Sequence, residues 1–290
     1  MAGLGAETLK DLVVAAQEHE GTVLDAADRS APYSYREFAT NCFKAGNLLG
    51  HYGVHPGSTV TVAVGPKKEP AEPEDDGAMN TMAGDAAMGY PDSADPLLAI
   101  LGGASVGATV DLTLVTPVES RALVHPAWCV YEKTPRCSLL AYGGPPSEPA
   151  VAHFEAELWS ENPTVPPEPV AADDPALLAA GETYTHRTLL AVADDIADSY
   201  GLDGTSRVAL SAGLTEPGAL VAGVLAPMVA GATVLLPGGP PRTDVPTATG
   251  DGTEEPALRV VTGHHDGGEE ESGAVVAGDV TASLRDTRRA

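Results

Sequence analysis

Tyr33-Ser34-Tyr35-Arg36 and Tyr184-Thr185-His186-Arg187 are two occurrences of one pattern, and the residues after each of them decide the fold. After the first, Phe38, Cys42, Ala45, Leu48 and Leu49 share one helical face. Ser34 is placed to cap that helix, with Glu37 three positions on. Tyr52-Gly53-Val54 ends it, His55-Pro56-Gly57-Ser58 turns the chain, and Thr59-Val60-Thr61-Val62-Ala63-Val64 reads as a short buried strand. The same steps return after the second occurrence, as Tyr200-Gly201-Leu202 and Arg207-Val208-Ala209-Leu210, and Gly107-Ala108-Thr109-Val110 returns as Gly231-Ala232-Thr233-Val234. Matches in one order along the chain predict an α/β fold of two related subdomains. Each is a mostly parallel sheet covered by helices, and the groove between them is the default ligand site.

Working outward, residues 1–144 read as the first subdomain and 173–240 as a shortened second one. The stretch before the first repeat, Ala6 to Ala27, carries Leu9, Leu12, Val13 and Ala16 at helical spacing and predicts one amphipathic helix. Residues 65–95 contain Lys67-Lys68-Glu69-Pro70-Ala71-Glu72-Pro73-Glu74-Asp75-Asp76 and read as an acidic, mobile loop. Pro96-Leu97-Leu98-Ala99-Ile100-Leu101 is the next helix. Residues 145–172 are a Pro-rich linker, and residues 241–290 an acidic, partly disordered tail.

Of 290 residues, 41 are Asp or Glu and 16 are Lys or Arg, a formal net charge of −25. That charge argues against nucleic acid and anionic membranes as partners. No apolar run is long enough to span a bilayer, and the N-terminus lacks a secretory pattern, so a cytoplasmic protein is expected. Arg outnumbers Lys and the acidity is spread along the chain, the composition of a halophilic protein. Cys42, Cys129 and Cys137 have no CxxC spacing and read as reduced, mostly buried thiols.

Tyr33 to Phe38 through Tyr52 to Val60 resembles the opening of the AMP-binding acyl-adenylate synthetases, the acyl-CoA ligase and acetyl-CoA synthetase family. Leu101-Gly102-Gly103-Ala104-Ser105-Val106-Gly107-Ala108 is similar to that family's next helix-to-strand step. Asp173-Asp174-Pro175-Ala176-Leu177-Leu178, Tyr184 to Leu190 and Leu225 to Val234 continue the likeness in order. It covers most of residues 1–240 and implies the N-terminal part of such an enzyme, truncated to about half a full-length member. The family carries a Ser/Thr/Gly-rich phosphate loop ending in Pro-Lys-Gly after the Asp-Asp-Pro strand. This chain has only Ala179-Ala180-Gly181-Glu182-Thr183, with Glu182 where the resemblance places an anion. The family's adenine segment, ribose-binding Asp motif and catalytic lysine are likewise without a counterpart in the sequence.

The resemblance leaves Thr183, Thr185, His186 and Arg187 as remnants of a cofactor-binding (nucleotide) site. The plainer reading of the same residues is a helix cap followed by a surface helix. No catalytic residue, no metal site and no cofactor are expected. The function implied is a catalytically inactive, synthetase-like pseudoenzyme with a binding or regulatory role, partnered by a full-length relative or another protein. The alternative is an ATP- and Mg-dependent acid-activating enzyme, alone or as a subunit completed by a partner chain. A third reading is a small-molecule-binding module using the groove between subdomains. Gly103-Ala104-Ser105-Val106-Gly107 matches the pattern of a hydrolase elbow, but helix precedes and strand follows the serine, the reverse of what that motif needs. His125, Cys129 and Cys137 fit no zinc spacing. His264-His265-Asp266 and Glu269-Glu270-Glu271 read as solvated runs, and Trp128 and Trp159 as packing anchors.

Self-repulsion at this charge is relieved by screening. The melting temperature should therefore rise between low and molar KCl; a flat or falling curve in a thermal scan would contradict the reading of the composition.

Overall fold

The computed structural model describes residues 5–70, 87–237, 258–261 and 274–289. The chain begins with α1 (Leu9–Glu18), β1 (Thr22–Ala26), β2 (Tyr33–Ser34) and α2 (Tyr35–His51). It continues through β3 (Thr59–Val62), α3 (Asp95–Ser105), β4 (Thr109–Asp111), β5 (Ala122–Pro126), β6 (Ser138–Tyr142), β7 (Ala152–His153) and α4 (Phe154–Ser160). The second repeat runs β8 (Pro175–Ala179), β9 (Glu182–Thr185), α5 (His186–Ser199), β10 (Arg207–Ser211), α6 (Pro217–Leu220), a π-helical turn (Val221–Leu225), α7 (Ala226–Ala230) and β11 (Thr233–Leu236). Then come β12 (Leu258–Val261), β13 (Ala274–Val276) and α8 (Ala277–Arg289). Among the described residues no helix is long and apolar enough to cross a membrane.

The helix starts follow their capping chemistry. Ser34 Oγ accepts the Glu37 amide at 3.2 Å, while the Glu37 carboxylate turns away to pair with Arg29 at 3.0 Å. Thr8 and Asp11 form a reciprocal capping box at the start of α1. The single helix expected over Ala6–Ala27 is instead a helix and a strand. His19 is extended, and Thr22-Val23 introduces β-branched residues whose χ1 freedom a helix restricts, so the chain pairs into a sheet.

Two sheets result, a seven-stranded one in the order β7-β6-β5-β3-β4-β8-β9 and a six-stranded one in the order β13-β12-β10-β11-β1-β2. Among the described residues, only the hairpins β1–β2 and β8–β9 pair antiparallel. The orders are equivalent under exchange of the repeats: β3 and β10 are central, followed outward by β4 and β11, and then by a hairpin. Each hairpin comes from the opposite repeat. β1 lies parallel to β11, with Leu24 opposite Val234, and β8 lies parallel to β4, with Val110 opposite Leu177. The boundaries 1–144 and 173–240 therefore cut across the sheets, because each repeat's opening hairpin completes the other repeat's sheet.

The flanking segments also differ from the sequence expectation. In 145–172, Phe154 and Leu158 are buried and Lys10 Nζ donates to the Pro166 and Glu168 carbonyls at 2.7 and 2.6 Å, so the segment is packed. In 65–95, residues 87–95 are largely buried and Ser93 and Asp95 are enclosed, whereas 71–86 lie outside the described residues. In 241–290, β12, β13 and α8 extend the six-stranded sheet and pack beside it.

Helices α2 and α3 cross at glycines. A methyl group on Gly102 would stand 2.7 Å from the Gly46 amide nitrogen and 2.9 Å from the Cys42 carbonyl; one on Gly46 would stand 2.9 Å from the Gly102 carbonyl. Backbone meets backbone there, so neither contact can be relieved by a rotamer change. The glycines of the neighbouring G-x-S-x-G stretch have packing and turn reasons of their own: a methyl group on Gly103 would stand 2.8 Å from Val60 Cγ1, and Gly107 has φ +75°. Ser105, fully buried, spends its hydroxyl on the Leu101 carbonyl at 2.7 Å. Gly102→Ala should cost about 1–3 kcal/mol through overpacking. Gly50→Ala, with nothing within 4 Å, should leave stability unchanged or raise it by up to about 1 kcal/mol. Urea denaturation of both variants tests the crossing, and equal effects would contradict it.

Candidate functional site

The segment where the resemblance places a phosphate loop is a two-residue hairpin turn. Ala179 pairs with Glu182, and the residues between them, Ala180 and Gly181, both have positive φ, +51° and +75°, as a type I′ turn requires. Alternation along β9 then sends Glu182 and Tyr184 to one face and Thr183 and Thr185 to the other. Tyr184 is fully buried, and burial pushes its phenol up, with Arg285 opposing. Glu182 meets two arginines of α8, Arg288 at 2.6 Å and Arg285 at 3.8 Å. Arg288 also donates to the Thr183 carbonyl at 3.3 Å.

A helix N-terminus binds anions through its unpaired amides. At the start of α5 those amides are already engaged. His186 N donates to the Asp174 carbonyl at 3.4 Å, Arg187 N to the Ala172 carbonyl at 2.9 Å, and Thr188 N to the Thr185 hydroxyl at 3.2 Å. The first two acceptors, Asp174 and Ala172, lie in the segment just before β8. These amides are satisfied within the chain itself.

The remnant residues do not converge. Thr183 is exposed on β9, Thr185 caps α5, and Arg187 reaches solvent, paired with Asp173 at 2.8 Å. His186 turns inward and is fully buried. Its Nδ1 accepts the Leu9 amide at 3.1 Å, which places the ring proton on Nε2. Desolvation lowers its pKa to about 4, with Asp174 and Asp11 opposing. The cap of the plainer reading is present, but α5 is no surface helix, since Leu189, Leu190, Val192 and Ala193 are buried beside His186.

One constellation lay outside the sequence reading. Lys67 Nζ sits 2.9 Å from Asp95, 3.3 Å from Asp28 and 3.6 Å from Glu155, and its amide donates to Asp92 at 2.8 Å. Desolvation opposes the ammonium, yet the surrounding carboxylates win and hold Lys67 charged. Burial raises the Asp95 carboxyl against the same ion pair. The group gathers residues just beyond the C-terminal ends of β1 and β3 with the N-terminal ends of α3 and α4, where open α/β sheets bind ligands. Here one ammonium faces several carboxylates, so the crevice is net negative and repels phosphate. Lys67 at the edge of an acidic run was the available sequence signal.

Among the described residues no group of three or more His, Cys, Asp or Glu is arranged to hold a metal. Cys42 and Cys137 are buried and Cys129 half-buried. His264-His265-Asp266 and Glu269-Glu270-Glu271 lie outside the described residues. Trp128 anchors to the Pro66 carbonyl at 2.9 Å. Trp159 packs against nothing in the core and is 84% exposed: Phe154 and Leu158, four apart, take the buried face of α4.

No protein-family model matches the chain, and no curated protein sequence matches it. Solved structures do share its fold. One is an anthranilate CoA ligase in complex with anthranoyl-AMP, with TM-score 0.64 and 14% identity over 88% of this chain and 49% of that one. Another is a benzoate CoA ligase from Burkholderia xenovorans LB400, with TM-score 0.56 and 18% identity over 79% and 45%. A third is the N-terminal domain of FACL13 from Mycobacterium tuberculosis, with TM-score 0.55 and 12% identity over 79% and 56%. The chain thus has the α/β fold seen in the N-terminal part of adenylate-forming ligases. It spans about half the length of the first two.

Because His186 has a folded pKa below its unfolded value, the unfolded chain binds the extra proton between them. Stability is therefore full above about pH 6.5 and is lost as pH falls toward about 4, by roughly 3 kcal/mol at most. Denaturant titrations at stepped pH should show this slope, and His186→Gln should flatten it; an unchanged slope would place the titrating group elsewhere.

Proposed function

We propose that this chain is a degenerate member of the AMP-binding acyl-adenylate synthetases, catalytically inactive, which works by binding or regulation through association with a full-length synthetase or another protein. The observation that carries this reading is the start of α5, where the amides that could grip a phosphate are bonded to the Ala172 and Asp174 carbonyls and to Thr185. The two-residue turn at Ala180-Gly181 leaves no loop to wrap a triphosphate, and the arginines beside it, Arg285 and Arg288, face Glu182. The net-negative crevice around Lys67 supports the same reading, since it cannot serve as a substitute phosphate site. What the chain keeps is scaffold, and scaffold alone specifies surfaces rather than chemistry.

ATP with Mg²⁺, and separately a non-hydrolysable acyl-adenylate analogue, should give no calorimetric binding tighter than about 100 μM, and ATP–pyrophosphate exchange with carboxylic acids should be absent. Exchange by the purified protein, or only after a second chain from the native host is added, would overturn the inactive reading and favour an acid-activating enzyme or subunit.

A further inference from the structure

The outer face of the seven-stranded sheet carries a second, small apolar cluster of Ala63, Val118, Leu123, Cys137 and Leu139. Beside it lies a cavity of about 140 Å³ between β5, β6 and the segments around 127–133 and 146–151. The strand register explains its floor. Leu123 stands opposite Leu139 and His125 opposite Ala141, so all four side chains share this face. Leu139, Ala141, Val151 and Pro146 supply apolar walls, and the exposed Lys133 and Glu148 form the solvent-side rim.

His125 is the polar group built into that cavity. It is 3% exposed, and the Tyr131 ring meets it edge-on with centroids 5.4 Å apart. Its Nδ1 lies 2.9 Å from the Pro126 carbonyl, which can only accept, so Nδ1 carries the proton. Nε2 is then a bare acceptor, and it is buried without a partner. A buried acceptor left unpaired keeps its desolvation cost until a donor arrives.

We propose that this cavity binds a small neutral aromatic molecule bearing one hydroxyl, of the size of phenol, whose O–H donates to His125 Nε2. The volume is that of cavities known to hold a benzene ring. The apolar walls suit a planar ring, and the neutral acceptor suits an undissociated hydroxyl: an anion would bring a lone pair to a lone pair, near Glu148 and in a chain of net charge −25. The site is distinct from the α5 region and does not depend on the loss of adenylation.

The test compares phenol with anisole, the same ring with its donor methylated, by calorimetry and by the ¹⁵N resonances of His125. Phenol should bind at least about tenfold more tightly, the factor set by 1.4 kcal/mol. It should move the Nε2 resonance while Nδ1 stays protonated. His125→Phe should erase the preference. Equal binding of phenol and anisole, an undiminished preference in His125→Phe, or no binding of either at about 10 mM would each overturn the proposal. Should the variant fail to fold, the phenol-to-anisole ratio and the Nε2 shift on the unchanged protein decide it.

Discussion

Each sheet of this protein is completed by a hairpin from the opposite repeat, and the rest of the structure depends on that exchange. A parallel pair such as β1 and β11 has to be joined by long crossovers, so its hydrogen bonds form only when distant parts of the chain have met. The junction is reinforced by specific contacts. The Tyr35 phenol, at the first residue of α2, is buried and donates to the Ala232 carbonyl at 2.7 Å, just before β11. Thr233 Oγ1 donates to the Thr22 carbonyl at 2.9 Å, and Arg207 pairs with Asp25 at 3.3 Å. One hydrophobic cluster runs through both repeats, from Leu9 to Leu284. The repeats are related, but they are not separate bodies.

The same exchange shapes the region where a nucleotide would be sought. For β8 to lie on β4 while β9 folds back on β8, a short turn suffices, and the chain passes directly from β9 into α5. That brings Ala172 and Asp174 alongside the start of the helix, where their carbonyls accept from the Arg187 and His186 amides. α8 then closes over the other face of the hairpin through Arg285, Arg288 and Glu182. The His186 and Arg187 amides and the Arg285 and Arg288 guanidiniums are thus engaged in contacts within the fold.

Much of this fold is legible in the sequence, and the boundary of what is legible has a physical reason. Ser34 and Thr185 announce their helices because a cap is a local hydrogen bond between residues three apart. The repeat is legible because both copies solve the same local problem. Alternation of side chains identifies a strand but says nothing about its partner, so the hairpin exchange cannot be read, and 1–144 looks self-contained. Trp159 reads as an anchor because size suggests burial, whereas a seven-residue helix buries only the face set by Phe154 and Leu158. At the candidate site, Thr185 is legible as a cap. The inward turn of His186 is not, because its partner, the Leu9 amide, is 177 residues away. Lys67 stands out beside an acidic run, but its partners do not, because its carboxylates come from three separated parts of the chain.

Native-state hydrogen exchange tests the interlock most directly. If each repeat completes the other's sheet, the amides of β4 in one sheet and β11 in the other should be released by one global opening. Their opening free energies and denaturant dependences would then be the same. If the six-stranded sheet opens at lower free energy and with a smaller denaturant slope than the seven-stranded one, the repeats are independent folding units and the account is contradicted.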